Sequence, residues 1–174
     1  YDSGLRLVSI HPEWGGSGAP TLLGMAVEEL VAGANTSFAM YPGLSIGVAE
    51  VIEKFGTQEQ KALYLPRLYG GKWAGTMCLT EPQCGTDLAG VRCRATRVGT
   101  GADAHYVVNG QKVFTTNAQV ATHVFLLVRT DPESRRHAGL SILLVPMDTP
   151  GITIRPMYTI QNNPGGPPGT TYGE

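Results

Sequence analysis

The spacing of apolar residues changes near the middle of this 174-residue chain. In the first part they recur every three or four positions, as on a helix face; in the second they alternate or run together, as in strands. From Thr21 to Val31 the apolar stripe is Leu22, Leu23, Ala26, Val27, Leu30 and Val31, with Glu28 and Glu29 opposite. A second stripe of Leu44, Val48, Val51, Ile52 and Phe55 predicts a helix over 44–55 that Gly56 ends. Thr57, followed by Gln60, reads as the capping box of a third helix. Pro66 disfavours helical geometry in the residue before it, so this helix is expected to stop near Tyr64. "YGGK" at 69–72 then forms a hinge.

From Trp73 the pattern is that of strands. Val91, Cys93 and Ala95 alternate with Arg92, Arg94 and Thr96, a half-buried strand. "HYVVNGQKVFTT" reads as a hairpin turning at Asn109-Gly110, the favoured two-residue type. "HVFLLVR" and "LSILLVP" are continuous apolar runs, expected to be strands buried on both faces. "TPG" at 149–151 turns into "ITIRPM", and "QNNPGGPPG" at 161–169 reads as an exposed loop. The predicted class is α+β: a helical segment over 1–72, then a mainly antiparallel β domain, barrel or sandwich, over 73–174. A dinucleotide-binding βαβ unit is disfavoured, because "WGGSG" at 14–18 does not join a strand to a helix.

Composition narrows the partners. A net charge of −1 gives no reason to expect nucleic acid or an anionic membrane surface. Charged residues make up 16% of the chain, against roughly 25% in an average soluble domain, so much of the surface is expected to face a ligand, another domain or a subunit. Cys78, Cys84 and Cys93 are odd in number and lack metal-ligand spacing, which predicts free thiols and no metal. No apolar run approaches the ~20 residues of a membrane helix, and the start has no basic region of a signal peptide. The absent initiator Met and the abrupt end suggest a fragment.

Two stretches carry candidate chemistry. In "TMCLTEPQCGTDLAG", Thr80 ends a strand, Gly85 permits close backbone approach, and Thr86 and Asp87 are placed to cap a turn whose N–H groups suit a phosphate. A plain capped turn accounts for the same residues. In "KVFTTNA", Phe114 and Thr116 fall on one face of the expected strand, with Val113 and Thr115 on the other. An aromatic beside a hydroxyl could lie along a flat ring, although both are also ordinary strand formers.

Taken together, "CLTEPQCGTDLAG", "YVVNGQKVFTTNA", "GTQEQKALYLPRL", "PEWGGSG" and "GLSILLVP" with "PGITI" resemble, in register, the flavin-dependent acyl-CoA dehydrogenase family. The family signature [GAC]-[LIVM]-[ST]-E-x-x-[GSAN]-G-[ST]-D-x-x-[GSA] is met from Cys78 to Gly90 except at Cys84, where a small residue is usual. The resemblance implies FAD, with Met77, Leu79 and Thr80 at the isoalloxazine and Thr80 donating to its pyrimidine edge. It implies Gly85 and Thr86 by the pyrophosphate and the bound acyl-CoA. Phe114, where the family often has Trp, would pack on the ring within the Phe114–Thr115–Thr116 run, and Thr116 would bond near N5. Gly43, with Ser45 and Gly47, would leave room for the acyl tail.

The implied reaction removes an α-proton to a carboxylate and a β-hydride to flavin, yielding the 2-enoyl thioester. The base is expected in a C-terminal helical domain outside this chain, so no catalytic residue is assigned here and the fragment alone is expected to be inactive. Glu81 is expected to be structural, and His105, His123 and His137 to be surface or turn residues. Glu28, Glu29 and Glu50 are expected to be solvated or at interfaces. Within the family the helical part and the first motif are most similar to the branch around 3-methylthiopropionyl-CoA dehydrogenase. Electron-transfer flavoprotein as acceptor, a homotetramer or dimer, and a cytoplasmic or mitochondrial-matrix location are further implications. Flavin oxidases and monooxygenases on the same scaffold, or a β-domain interaction module without catalysis, are the alternatives.

Overall fold

The computed structural model describes residues 4–157, so the polar run at 161–169 lies outside the described residues. The chain divides into two compact units, Tyr1–Gly75 and Thr76–Glu174.

The first unit holds three helices: α1 (Thr21–Ala34), α2 (Thr36–Phe55) and α3 (Gln58–Tyr69). Only Asn35 separates α1 from α2. Its extended backbone ends one helix, while its side chain accepts the Phe38 N–H at 3.0 Å to start the next. The stripe from Leu44 therefore marks only the second part of α2, which runs on through Pro42 and Gly43. Thr57 and Gln60 form the expected capping box, with bonds of 3.3 and 2.9 Å.

α3 does not stop at Tyr64; Pro66 lies inside it. A proline within a helix costs about 3 kcal/mol. The turn it would abolish buries Leu65, Leu68 and Tyr69 at 0–1% exposure, and each such side chain returns roughly 1.5–3 kcal/mol. Packing overrides local preference. The Tyr69 hydroxyl donates to Glu53 at 2.7 Å, and burial followed by that carboxylate pushes the phenol well above its ordinary pKa. Tyr69→Phe should cost about 1.5 kcal/mol, read by urea unfolding, because it leaves a charged acceptor short of a donor.

Arg6 crosses the helices from the N-terminal side, donating to Ala39 O at 2.9 Å and pairing with Glu28 at 3.1 Å. Glu28 makes this pair while its side chain stays 46% exposed, in keeping with a solvated position. The α1 stripe forms a helix as expected, yet no residue of α1 is buried, and Leu22 and Leu30 are 77% and 74% exposed. No helix among the described residues is long and apolar enough to cross a membrane.

The second unit is built on five strands: β1 (Gly75–Cys78), β2 (Arg94–Val98), β3 (His105–Asn109), β4 (His123–Arg129) and β5 (Leu140–Pro146). They form one sheet in the order β1, β4, β2, β3, with β5 also paired to β4. β2–β3 and β4–β5 are antiparallel, and β2 meets β4 in a parallel step at Arg94 and Arg129. The helices-then-strands order and the mainly antiparallel pairing are those expected. Val91, Cys93 and Ala95 face the core together with Cys84, Leu127 and Val128. β4 is buried on both faces, but β5 is only half covered, Ile142 being 43% exposed.

The hairpin at Asn109-Gly110 is not formed. β3 pairs backwards with β2, from Arg94 opposite Asn109 to Val98 opposite His105. Neither Asn109 nor Gly110 has the positive φ that a two-residue hairpin turn demands. Gly110 instead passes flat against Cys93, so close that a Cβ on it would lie 2.6 Å from the Cys93 Cα.

Candidate functional site

The segment after Gly110 is not a strand. It runs beside the first motif and is tied to it step by step. Thr76 Oγ1 donates to Thr116 O. Cys78 Sγ and Thr115 Oγ1 are 3.5 Å apart. The Val113 N–H donates to Thr80 O at 2.9 Å, and Lys112 Nζ to Leu79 O at 3.0 Å. The two candidate stretches, some thirty to forty residues apart in the chain, are therefore neighbours.

The strand alternation expected to put Phe114 and Thr116 on one face needs correction. Phe114 has φ 58°, a left-handed conformation that L-residues avoid, and the residue is 61% exposed. Asn117 repeats the conformation at φ 65°, where Asn is better tolerated. The chain kinks at Phe114, Thr115 turns inward at 2% exposure, and Thr116 stays half-buried. Thr80 is also half-buried. Among the described residues neither Thr80 nor Thr116 has a hydrogen bond to its hydroxyl, and the buried Asn117 Oδ1 has no donor. Met77 is half-buried, and Leu79 packs against the core while its carbonyl holds Lys112.

After Thr80 the chain reverses in a tight turn, Glu81 to Cys84, closed by bonds of 2.8 and 3.1 Å with Pro82 at its second position. Gly85 and Thr86 follow on the surface, and a Cβ on Gly85 would sit 3.7 Å from the Thr80 methyl. The side-chain capping expected of Thr86 and Asp87 is absent. The short turn Leu88–Gly90 has no side-chain cap, and the N–H groups of Leu88 and Gly90 donate internally, to Thr86 O and Asp87 O.

Glu81 is structural, as expected, and the manner is specific. At 4% exposure its carboxylate accepts from Lys112 at 2.8 Å, Cys93 N at 2.9 Å, Arg92 N at 2.7 Å and Gln83 Nε2. Burial alone would raise its pKa; the four donors, Lys112 first, hold it below its usual value instead. Lys112 was not singled out by sequence reasoning. The available signal was a lone cation ahead of an apolar and hydroxyl run, which has no partner nearby in the chain.

All three cysteines are free thiols, and burial raises Cys78 and Cys93 above the ordinary thiol value. Both line a largely apolar cavity of about 430 Å³ with Lys112, Thr115, Val124 and Leu126. Met77, Thr80, Phe114 and Thr116 are not part of its wall. In the first unit, Gly43 is exposed in α2 with open space beside it, whereas Ser45 is buried and accepts the Gly75 N–H at 3.0 Å. His105 and His137 are exposed, and His123 is half-buried at the start of β4, where desolvation lowers its pKa.

The family model for the acyl-CoA dehydrogenase N-terminal domain matches residues 1–72, and that for the acyl-CoA dehydrogenase middle domain matches 76–167. The chain belongs to the acyl-CoA dehydrogenase family. A relative, the 3-methylmercaptopropionyl-CoA dehydrogenase of Ruegeria pomeroyi, is 38% identical over 149 residues, which are 83% of this chain and 25% of that protein. Among solved structures, a steroid acyl-CoA dehydrogenase, Tcur3481-Tcur3483, matches with TM-score 0.84 and 31% identity over 99% of this chain and 42% of its own. A Mycobacterium smegmatis glutaryl-CoA dehydrogenase in complex with FADH2 matches with TM-score 0.77 and 28% identity, over 90% of this chain and 38% of its own. The chain thus spans between a quarter and about two fifths of these acyl-CoA dehydrogenases.

Proposed function

We propose that this chain supplies the flavin-holding part of an FAD-dependent acyl-CoA dehydrogenase, which converts an acyl-CoA thioester to its 2-enoyl-CoA. The observation that carries the reading is the pairing of the two motifs, with Val113 bonded to Thr80 and Thr76 to Thr116. It leaves the hydroxyls of two half-buried threonines without partners among the described residues, and one exposed aromatic residue, on adjacent segments. Such a donor set suits a planar heterocycle with hydrogen-bonding edges, and a relative's structure contains FADH2.

In this reading Thr80 and Thr116 hold the ring by its edges, with Met77, Leu79 and Thr115 shaping their segments, and Phe114 covers the ring. Gly85 and Thr86 serve the pyrophosphate and the acyl-CoA. FAD, when bound, supplies the acceptor for the hydride leaving the β-carbon. Fixed hydroxyl donors favour the negative charge that collects on a reduced ring, because they need no reorganisation. Gly43 is kept as a substrate-side residue. Glu81 is excluded as the base, since all its acceptor positions are occupied by donors. The α-proton goes to a carboxylate that we do not assign to this chain. Electron-transfer flavoprotein and a homotetramer or dimer belong to the whole enzyme in this reading.

The test is flavin binding by the protein as its whole reading frame encodes it. A yellow preparation bleached anaerobically by acyl-CoA and slowly reoxidised in air is the expected result. Rapid reoxidation with peroxide formation would point to an oxidase, and colourless protein that ignores added FAD would remove the reading. Thr80→Val should weaken binding of oxidised FAD about fivefold, the loss of one hydrogen bond to a neutral acceptor of about 1 kcal/mol.

A further inference from the structure

We propose that Glu81 and Lys112 are positioning residues, a buried ion pair that sets the register between Met77–Thr80 and Phe114–Thr116. The inference rests on the reading of those two segments as the flavin contacts.

The geometry gives the pair more to hold than itself. Lys112 spends one donor on the carboxylate, at 2.8 Å, and another on Leu79 O, at 3.0 Å, the carbonyl next to the one that accepts Val113 N–H. Glu81 in turn accepts from the N–H groups of Arg92 and Cys93, so one carboxylate joins three stretches of backbone. With Gln83 the carboxylate makes four bonds, its full capacity. Both side chains are 5% exposed or less, so neither has water as a substitute partner.

Phe114 supplies an independent reason to regard this as positioning. Its left-handed backbone is unfavourable for an L-residue, and such a conformation persists only where the surroundings over-determine it. Here the chain is anchored on both sides of the kink: at Lys112 and Val113 before it, and at Thr115 and Thr116 after it. Cutting the first anchor lets residues 113–116 relax toward ordinary extended backbone. The Phe114 ring would then turn away and Thr116 would lose its place opposite Thr76. An apolar pair of similar volume could fill the same space, but it could not hold three backbones in register.

The experiment compares the unaltered protein with the Glu81→Leu/Lys112→Met double variant, both expressed as the whole reading frame encodes them. The double variant should keep its far-UV circular dichroism while its Kd for FAD rises at least tenfold and the vibrational structure of the bound flavin band blurs. A double variant that binds FAD within twofold of the unaltered protein overturns the proposal. If the unaltered protein binds no FAD, the flavin reading fails on its own account. In that case, or if the double variant does not fold, amide exchange in the unaltered, ligand-free protein decides. Slow exchange at Arg92, Cys93 and Val113 supports the pair holding these segments in register; exchange as fast as in the 99–103 turn overturns it.

Discussion

Lys112→Met should destabilise the second unit by about 3–5 kcal/mol, the usual penalty when one member of a buried ion pair is removed. The Glu81 carboxylate would keep the donors of Arg92, Cys93 and Gln83 but lose the cation it pairs with among the described residues, at 4% exposure. The sign of the pH effect follows from the pKa. In the unaltered protein Glu81 is held below its ordinary 4.5, so its contribution is complete above that value and lost as pH falls through the folded-state pKa. In the variant, burial without the ammonium raises the pKa, and the penalty applies to the charged form alone. The difference in melting temperature between the two proteins should be widest near neutral pH and should narrow below about pH 4.5. Thermal unfolding followed by near-UV circular dichroism at both pH values measures it. An equal gap at both would mean that Lys112 contributes packing rather than charge.

The second large effect is steric. Gly110→Ala should cost about 3 kcal/mol, because its Cβ would stand 2.6 Å from the Cα, Cβ and Sγ of Cys93. Two backbones would have to separate where β2 enters the sheet. Adding Cys93→Ala removes only the sulfur, so the double variant should remain destabilised in urea. Full recovery would show that the sulfur alone was in the way. A hairpin turn at the same glycine would have given a smaller loss, of about 1 kcal/mol, from the left-handed backbone it requires.

At these two sites local pattern and tertiary contact disagree. Asn109-Gly110 carries the strongest short-range signal for a hairpin, and the chain ignores it because 112–116 finds better partners on Leu79, Thr80 and Thr76. The alternation predicted for Phe114 and Thr116 fell with it. Pro66 failed as a stop signal for a related reason, since the turn it should have ended carries Leu65, Leu68 and Tyr69 into the core. The start of α2 has no signal of its own, because Asn35 both closes α1 and caps α2.

By itself the sequence determined whatever is written within one turn or one strand: the Thr57–Gln60 cap, the inward row of Val91, Cys93 and Ala95, and the order of helices before strands. It also carried the thirteen-residue motif that marks the family. Only the tertiary structure decided which strand β3 would join, how Phe114 is thrown outward, and that Glu81 and Lys112 meet. Local patterns reflect propensities of a kilocalorie or less per residue. A buried charge without its partner costs several times that, so the chain takes whichever path brings Lys112 to Glu81, and no local pattern records a partner 31 residues away.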